Sequence, residues 1–239
     1  MKSSKINWHA FGDESAFEHV VTYGIVGVRP ELQRKTELRL EAIKKRFGAS
    51  ATTRLHCRQM FTPAAKERSG WSHLSDEEIR ELILSFSQEV DQLGIRRNVG
   101  IIYTATAPKE LPGVGTVQTS LPLGEKQLCT CAFTAAFGPV MQQTGAKGVK
   151  LWLDKETTKI DWWGKRRQAV LTRELTLIDD LGMKKIQPKV VSGSSSVMFE
   201  VADLLAYTVG KNRNTEHIND FFGQVQKILA PMESVFEWA

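Results

Sequence analysis

Three acidic stretches have residue types and surroundings that could do chemistry. In Phe11-Gly12-Asp13-Glu14-Ser15 an apolar, strand-like run ends on Asp13, and in Leu151-Trp152-Leu153-Asp154 another ends on Asp154. Ligands of open α/β sheets bind beyond the carboxyl ends of strands, so both acids stand where such chemistry is usually done. The third stretch, Glu200-Val201-Ala202-Asp203, interrupts a run (197–209) that is otherwise apolar around most of a helix. A helix apolar nearly all round is largely buried, and a buried carboxylate costs several kcal/mol unless it is paired or coordinates a metal. Glu200 and Asp203 are three apart and share a helix face. Together Asp13, Asp154 and Asp203 read as a carboxylate cluster for a divalent cation. Their hard oxygen donors suit Mg²⁺ or Mn²⁺, and paired ions can clamp the attacking and leaving oxygens of a phosphodiester. Glu14 and Glu200 are expected as auxiliary carboxylates. His56, in Leu55-His56-Cys57, is a candidate proton shuttle or phosphate contact.

Each assignment has a structural competitor. Asp13 could cap a turn, Asp154 could cap a helix or join a salt bridge, Asp203 could pair with a buried Arg, and His56 could be a structural residue. Ser194, Ser195 and Ser196 read as N-capping residues of the late helix or as phosphate contacts at its start. Arg34, Lys35, Arg39, Lys44, Lys45 and Arg46 fall in one helix, where Glu37 and Glu41 can partner them on a solvated face. Lys165, Arg166 and Arg167 are less neutralised and follow Trp162 and Trp163. Cations beside aromatic rings are how single strands of nucleic acid are held, so these three are the candidate nucleic-acid contacts.

Alternating periodicities must position these groups. Residues 6–13 and 19–28 read as a strand hairpin. Pro30 opens an amphipathic helix that ends at Gly48, and 52–60 is a short strand candidate. Ser75 and Glu78 form a capping box before the stripe Ile79, Leu82, Ile83, Phe86 and Val90. Further strands are expected at 99–104, 149–154 and 186–191, and helices at 125–143 (disturbed near Pro139), 163–181, 196–209 and 219–229. Residues 106–123, with three prolines and two glycines, read as a loop of the kind that often carries function. The alternation predicts an α/β fold: a mixed central sheet of about five or six strands with helices on both faces.

The chain has 239 residues, with 41% hydrophobic and 25% charged residues. This is ordinary globular composition and argues against disorder, collagen and coiled coil. One domain over 1–239 is expected. The net charge of +5 permits a nucleic-acid partner without requiring one. No apolar run reaches 18 residues, so no membrane span is expected. A polar start and three cysteines, an odd number, point to reduced thiols and a cytoplasmic protein. Cys129 and Cys131 sit two apart in a helical run, do not face each other, and read as small core or surface residues. Nucleophile elbows, Walker loops and dinucleotide-binding glycine motifs are missing from the sequence.

In the order of these motifs, over roughly residues 8–210, the chain resembles the uncharacterised family catalogued as domain of unknown function 3800. Asp13-Glu14-Ser15, Leu55-His56, Leu153-Asp154 and the helix Glu200-Val201-Ala202-Asp203-Leu204-Leu205-Ala206 correspond to its pattern. Glu200 stands where that family often has Gln, and Ser192 where an Asp often precedes the last helix. The resemblance implies a ribonuclease H-like fold and a metal-dependent nuclease acting on DNA or RNA. The alternative it leaves is a non-catalytic nucleic-acid-binding or protein-interaction module of a mobile-element or defence system.

Overall fold

The computed structural model describes residues 8–50, 52–107, 110–111, 121–122, 124–144, 148–154, 189–214 and 220–236. The helix expected at 163–181 and the candidate contacts Lys165, Arg166 and Arg167 lie outside the described residues.

Strands β1 (Trp8–Ala16) and β2 (Val20–Val28) form the opening antiparallel hairpin, and β3 (Arg96–Tyr103) pairs antiparallel with β2. The excursion at 106–123 holds a two-residue ladder, β4 (Glu110–Leu111) with β5 (Leu121–Pro122). On the far side of β1 lies β6 (Val149–Asp154), parallel to it, and β7 (Lys189–Val191) runs parallel to β6. At the opposite edge β8 (Met232–Val235), which no sequence signal announced, pairs parallel with β3. The main sheet is therefore mixed and six-stranded, in the order β7-β6-β1-β2-β3-β8.

The α-helices among the described residues are α1 (Pro30–Arg46), α2 (Cys57–Met60), α3 (Pro63–Lys66), α4 (Asp76–Gln92), α5 (Glu125–Thr144), α6 (Met198–Arg213) and α7 (Asp220–Leu229). The Ser75–Glu78 capping box that starts α4 is formed in both directions. Pro139 lies inside α5 without ending it.

The pleat of the central strands sorts their side chains into two cores. Phe11, Val20, Val26, Val99 and Ile101 meet residues of α1, α4, α6 and α7 on one face. Ala10, Val21, Tyr23, Ile25, Ile102, Leu151 and Leu153 meet α5 on the other. Cys129 and Cys131 belong to this second core as buried thiols. Helices thus cover both faces, as the alternation predicts. Two glycines let the covering helices seat directly on strand backbone. A Cβ on Gly24 would strike the Ala202 carbonyl of α6, and one on Gly100 would strike the Ala132 carbonyl of α5. The Thr22 hydroxyl also donates to the Ala206 carbonyl at 2.8 Å. These contacts fix α6, with its acids, over β1 and β2.

Among the described residues, no helix is long and apolar enough to cross a membrane.

Candidate active site

Strand β1 does not end at Asp13, as the sequence suggested. It continues along β2 to Ala16, but its ladder with β6 stops at Gly12 opposite Leu153. Asp13 and Asp154 are the next residues on these two parallel strands. The pleat puts both on the face of Phe11 and Trp152, whose rings stack at 5.1 Å. That is the face α6 covers, and α6 is buried nearly all round, Glu200 and Asp203 included. Asp13, Asp154, Glu200 and Asp203 are each at most 4% exposed. Parallel pairing and one helix therefore gather acids that are up to 190 positions apart in sequence.

The segment after α1 supplies what they pair with. Residues 52–56 are not a strand, which corrects the expectation for 52–60; Cys57–Met60 is a single helical turn, α2. The backbone at His56 is extended, yet the amide groups here serve carboxylates rather than a neighbouring strand. The Leu55 N–H donates to Glu200 Oε2 at 2.9 Å, and the Cys57 N–H to Asp203 Oδ2 at 2.8 Å. Side chains of this segment and of the end of α1 meet the same acids. Lys44 Nζ lies 2.6 Å from Glu200 Oε1, Arg54 donates to Asp154 Oδ2 at 3.0 Å, and His56 Nδ1 lies 3.2 Å from Asp203 Oδ1. The Gly193 N–H donates to Asp154 Oδ1 at 2.9 Å. A Cβ on Gly193 would fall within the Asp154 carboxylate and the Arg54 guanidinium, so only glycine lets this turn close on them.

Burial pushes the Glu200 pKa up, against the pull of the Lys44 ammonium. Burial, reinforced by Asp203, Glu200 and Asp13, pushes the Cys57 thiol well above its ordinary range, which makes it an inert core thiol. The Asp203 carboxylate raises the His56 pKa, with burial opposing and Asp13 adding to the rise. His56 therefore keeps its proton to higher pH when folded than the unfolded value of about 6.5. Its stabilising contribution is complete below that value and is lost as pH rises through the folded pKa. Replacing His56 with Gln is expected to lower stability more at about pH 5.5 than at about pH 8.5. Urea unfolding at both values measures it, and an equal loss at both contradicts it.

Asp13, Asp154, Asp203, Glu200 and His56 thus meet in one neighbourhood. Glu14, the next residue on β1, belongs by the pleat to the opposite face. Its N–H donates to Asp13 Oδ1 at 2.9 Å. Ser196 Oγ accepts from the Met198 N–H and donates to Glu37, which ties the start of α6 to α1.

Two members of the cluster, Lys44 and Arg54, are not among the candidate site residues that the sequence offers. The sequence reads Lys44 as part of a solvated basic face, but it is buried. Its position next to Ile43 and four after Leu40 puts it on the apolar stripe, and that was the available signal. Nothing local marks Arg54.

Among the described residues, no group of three His, Cys, Asp or Glu side chains stands ready to hold a metal ion as arranged. The carboxylates are instead met by cations and N–H groups of the chain itself. The structural competitor for Asp154, a salt bridge, is therefore realised in this arrangement, whereas Asp203 meets His56 and the Cys57 N–H rather than the buried Arg that was its competitor. No protein-family model matches the chain, and neither a curated protein nor a solved structure matches it.

Proposed function

We propose that the chain is a divalent-metal-dependent nuclease of ribonuclease H-like architecture, with Asp13, Asp154 and Asp203 as its metal-holding carboxylates. The observation that carries this reading is the pairing of Asp13 and Asp154. They follow the last paired residues of two adjacent parallel strands, on one face, beneath a helix bearing two more buried acids. The order of the acids along β1, β6 and α6 also supports the resemblance to domain of unknown function 3800.

The donors fit Mg²⁺ or Mn²⁺ in chemistry, because all are hard carboxylate oxygens. Arg54 now supplies positive charge at Asp154, as Lys44 does at Glu200. Arg54 is on the short segment before α2 and its side chain is 24% exposed, so it can withdraw without unpacking a core helix. When bound, a divalent ion supplies charge stabilisation at the phosphate and activates water. Asp13 and Asp154 would hold that ion from the two strands, and Asp203, with Oδ1 3.2 Å from His56 Nδ1, orients the imidazole. Nε2 is left as the ring atom that can exchange a proton with the attacking or leaving oxygen. Lys45 of α1 and, outside the described residues, Lys165, Arg166 and Arg167 are the proposed backbone contacts.

The test is hydrolysis of labelled single-stranded DNA, RNA and RNA–DNA hybrid with Mg²⁺ or Mn²⁺. Cleavage of at least one substrate is expected, abolished by EDTA and reduced on the order of 10²–10³-fold by Asp154→Asn. Undiminished cleavage by this variant would overturn the assignment. The internal pairing of Asp154, Glu200 and Asp203 favours a second reading, a non-catalytic nucleic-acid-binding or protein-interaction module, which predicts nucleic-acid or protein binding without cleavage.

A further inference from the structure

A pocket of about 350 Å³ opens beside the acidic centre, and Arg54 and Glu200 form part of its wall. Its other sides come from three elements. Helix α1 contributes a stripe at helical spacing, Arg34, Glu37, Glu41, Lys44 and Lys45; the loop after α1 contributes Ser50, Thr52 and Thr53; and the turn before α6 contributes Ser195 and Ser196. Four cations and five hydroxyls thus line one concavity.

Two of its three acids are already engaged. Glu37 accepts from Ser196 and Gln33 at 2.7 and 2.9 Å and lies 3.9 Å from Arg34, and Glu200 is held by Lys44 and the Leu55 N–H. The loop hydroxyls are preorganised among themselves, with Ser50 Oγ 2.8 Å from Thr53 Oγ1 and 3.1 Å from Thr52 Oγ1. Clustered hydroxyl and cationic donors are the chemistry of phosphate recognition, because charge-assisted bonds to phosphate oxygens are the strong ones. The volume exceeds what one phosphate needs and leaves room for an attached sugar.

We propose that this pocket is a phosphate-binding subsite, and that Arg54 is shared between it and Asp154. The ligand is a phosphate group of a nucleotide strand, terminal or internal; that source rests on the nuclease reading, whereas phosphate binding itself does not. Because one guanidinium serves both sites, occupation of the pocket and release of Asp154 favour each other. Coupling of this kind is reciprocal.

The experiment is calorimetric titration of the metal-free chain in EDTA. The probes are inorganic phosphate, a thymidine dinucleotide with a 5′-phosphate, and the same dinucleotide without it. Binding of inorganic phosphate and of the 5′-phosphorylated dinucleotide is expected. It should weaken about tenfold or more in the surface double variant Arg34→Ala/Lys45→Ala. In Asp154→Asn, which removes the carboxylate charge competing for Arg54 without a metal, it should tighten several-fold, and circular dichroism identifies a variant that fails to fold. Weaker binding of the unphosphorylated dinucleotide assigns the pocket to a terminal phosphate, and equal binding of the two assigns it to an internal phosphodiester. No binding of any probe up to about 10 mM, or binding unchanged in the double variant, overturns the proposal. Phosphate binding that survives while no substrate is ever cleaved defeats the nuclease reading and leaves the subsite standing.

Discussion

Replacing Lys44 with Met is expected to cost about 3–5 kcal/mol of stability, because it leaves the Glu200 carboxylate buried without its cation. Lys44 and Glu200 side chains are 8% and 5% exposed, and their charged atoms are 2.6 Å apart. Solvent screening is slight there, so the estimate for a surface pair does not apply. The double variant Lys44→Met/Glu200→Met removes both charges and should recover most of the loss. Recovery stays incomplete, because the Leu55 N–H loses its acceptor at Glu200 Oε2 and an unsatisfied buried donor costs about 1–3 kcal/mol. Chemical denaturation of the wild type, both single variants and the double variant closes the cycle. A Lys44→Met variant as stable as wild type would show that Glu200 does not rely on this ammonium.

Arg54→Ala is expected to behave differently, and the difference bears on function. Asp154 is fully buried, while the Arg54 side chain is 24% exposed. The loss in the metal-free chain should therefore fall below that of a wholly buried pair, at about 2–3 kcal/mol. Mn²⁺ should restore it, because a divalent ion replaces the missing charge beside Asp154, and stabilisation grows with ligand concentration over Kd. The variant should also bind Mn²⁺ about tenfold more tightly than wild type, since the Arg54 guanidinium no longer competes for the carboxylate. Thermal denaturation across a Mn²⁺ series reads both effects. A loss that Mn²⁺ leaves untouched would make Arg54–Asp154 a purely structural salt bridge.

Much of the scaffold was legible because its signals are local. The hairpin of β1 and β2, the full extent of β6 and the start of α4 rest on apolar runs and on one reciprocal cap at Ser75 and Glu78. The acids of the site were legible for a related reason. Asp154 closes an apolar strand, and Glu200 and Asp203 interrupt an apolar helix, so their cost of burial can be read from their neighbours. Their partners were not legible. Residues 52–56 have a strand-like pattern, but the Leu55 N–H and that of Cys57 just beyond are taken by carboxylates about 145 positions away, and no local pattern records such a distance. Lys44 shows the intermediate case: a cation on an apolar stripe signals a buried anion without saying which. Strand β8 is four residues long and half exposed at its ends, too short for periodicity to register.

The measurement that tests the central claim most directly is calorimetric titration of the wild-type chain with Mn²⁺, alongside Asp13→Asn and Asp154→Asn. Binding of one or two ions by the wild type, lost in both variants, is the result the account predicts. A wild type that takes up no Mn²⁺, or variants that bind it as the wild type does, would contradict it.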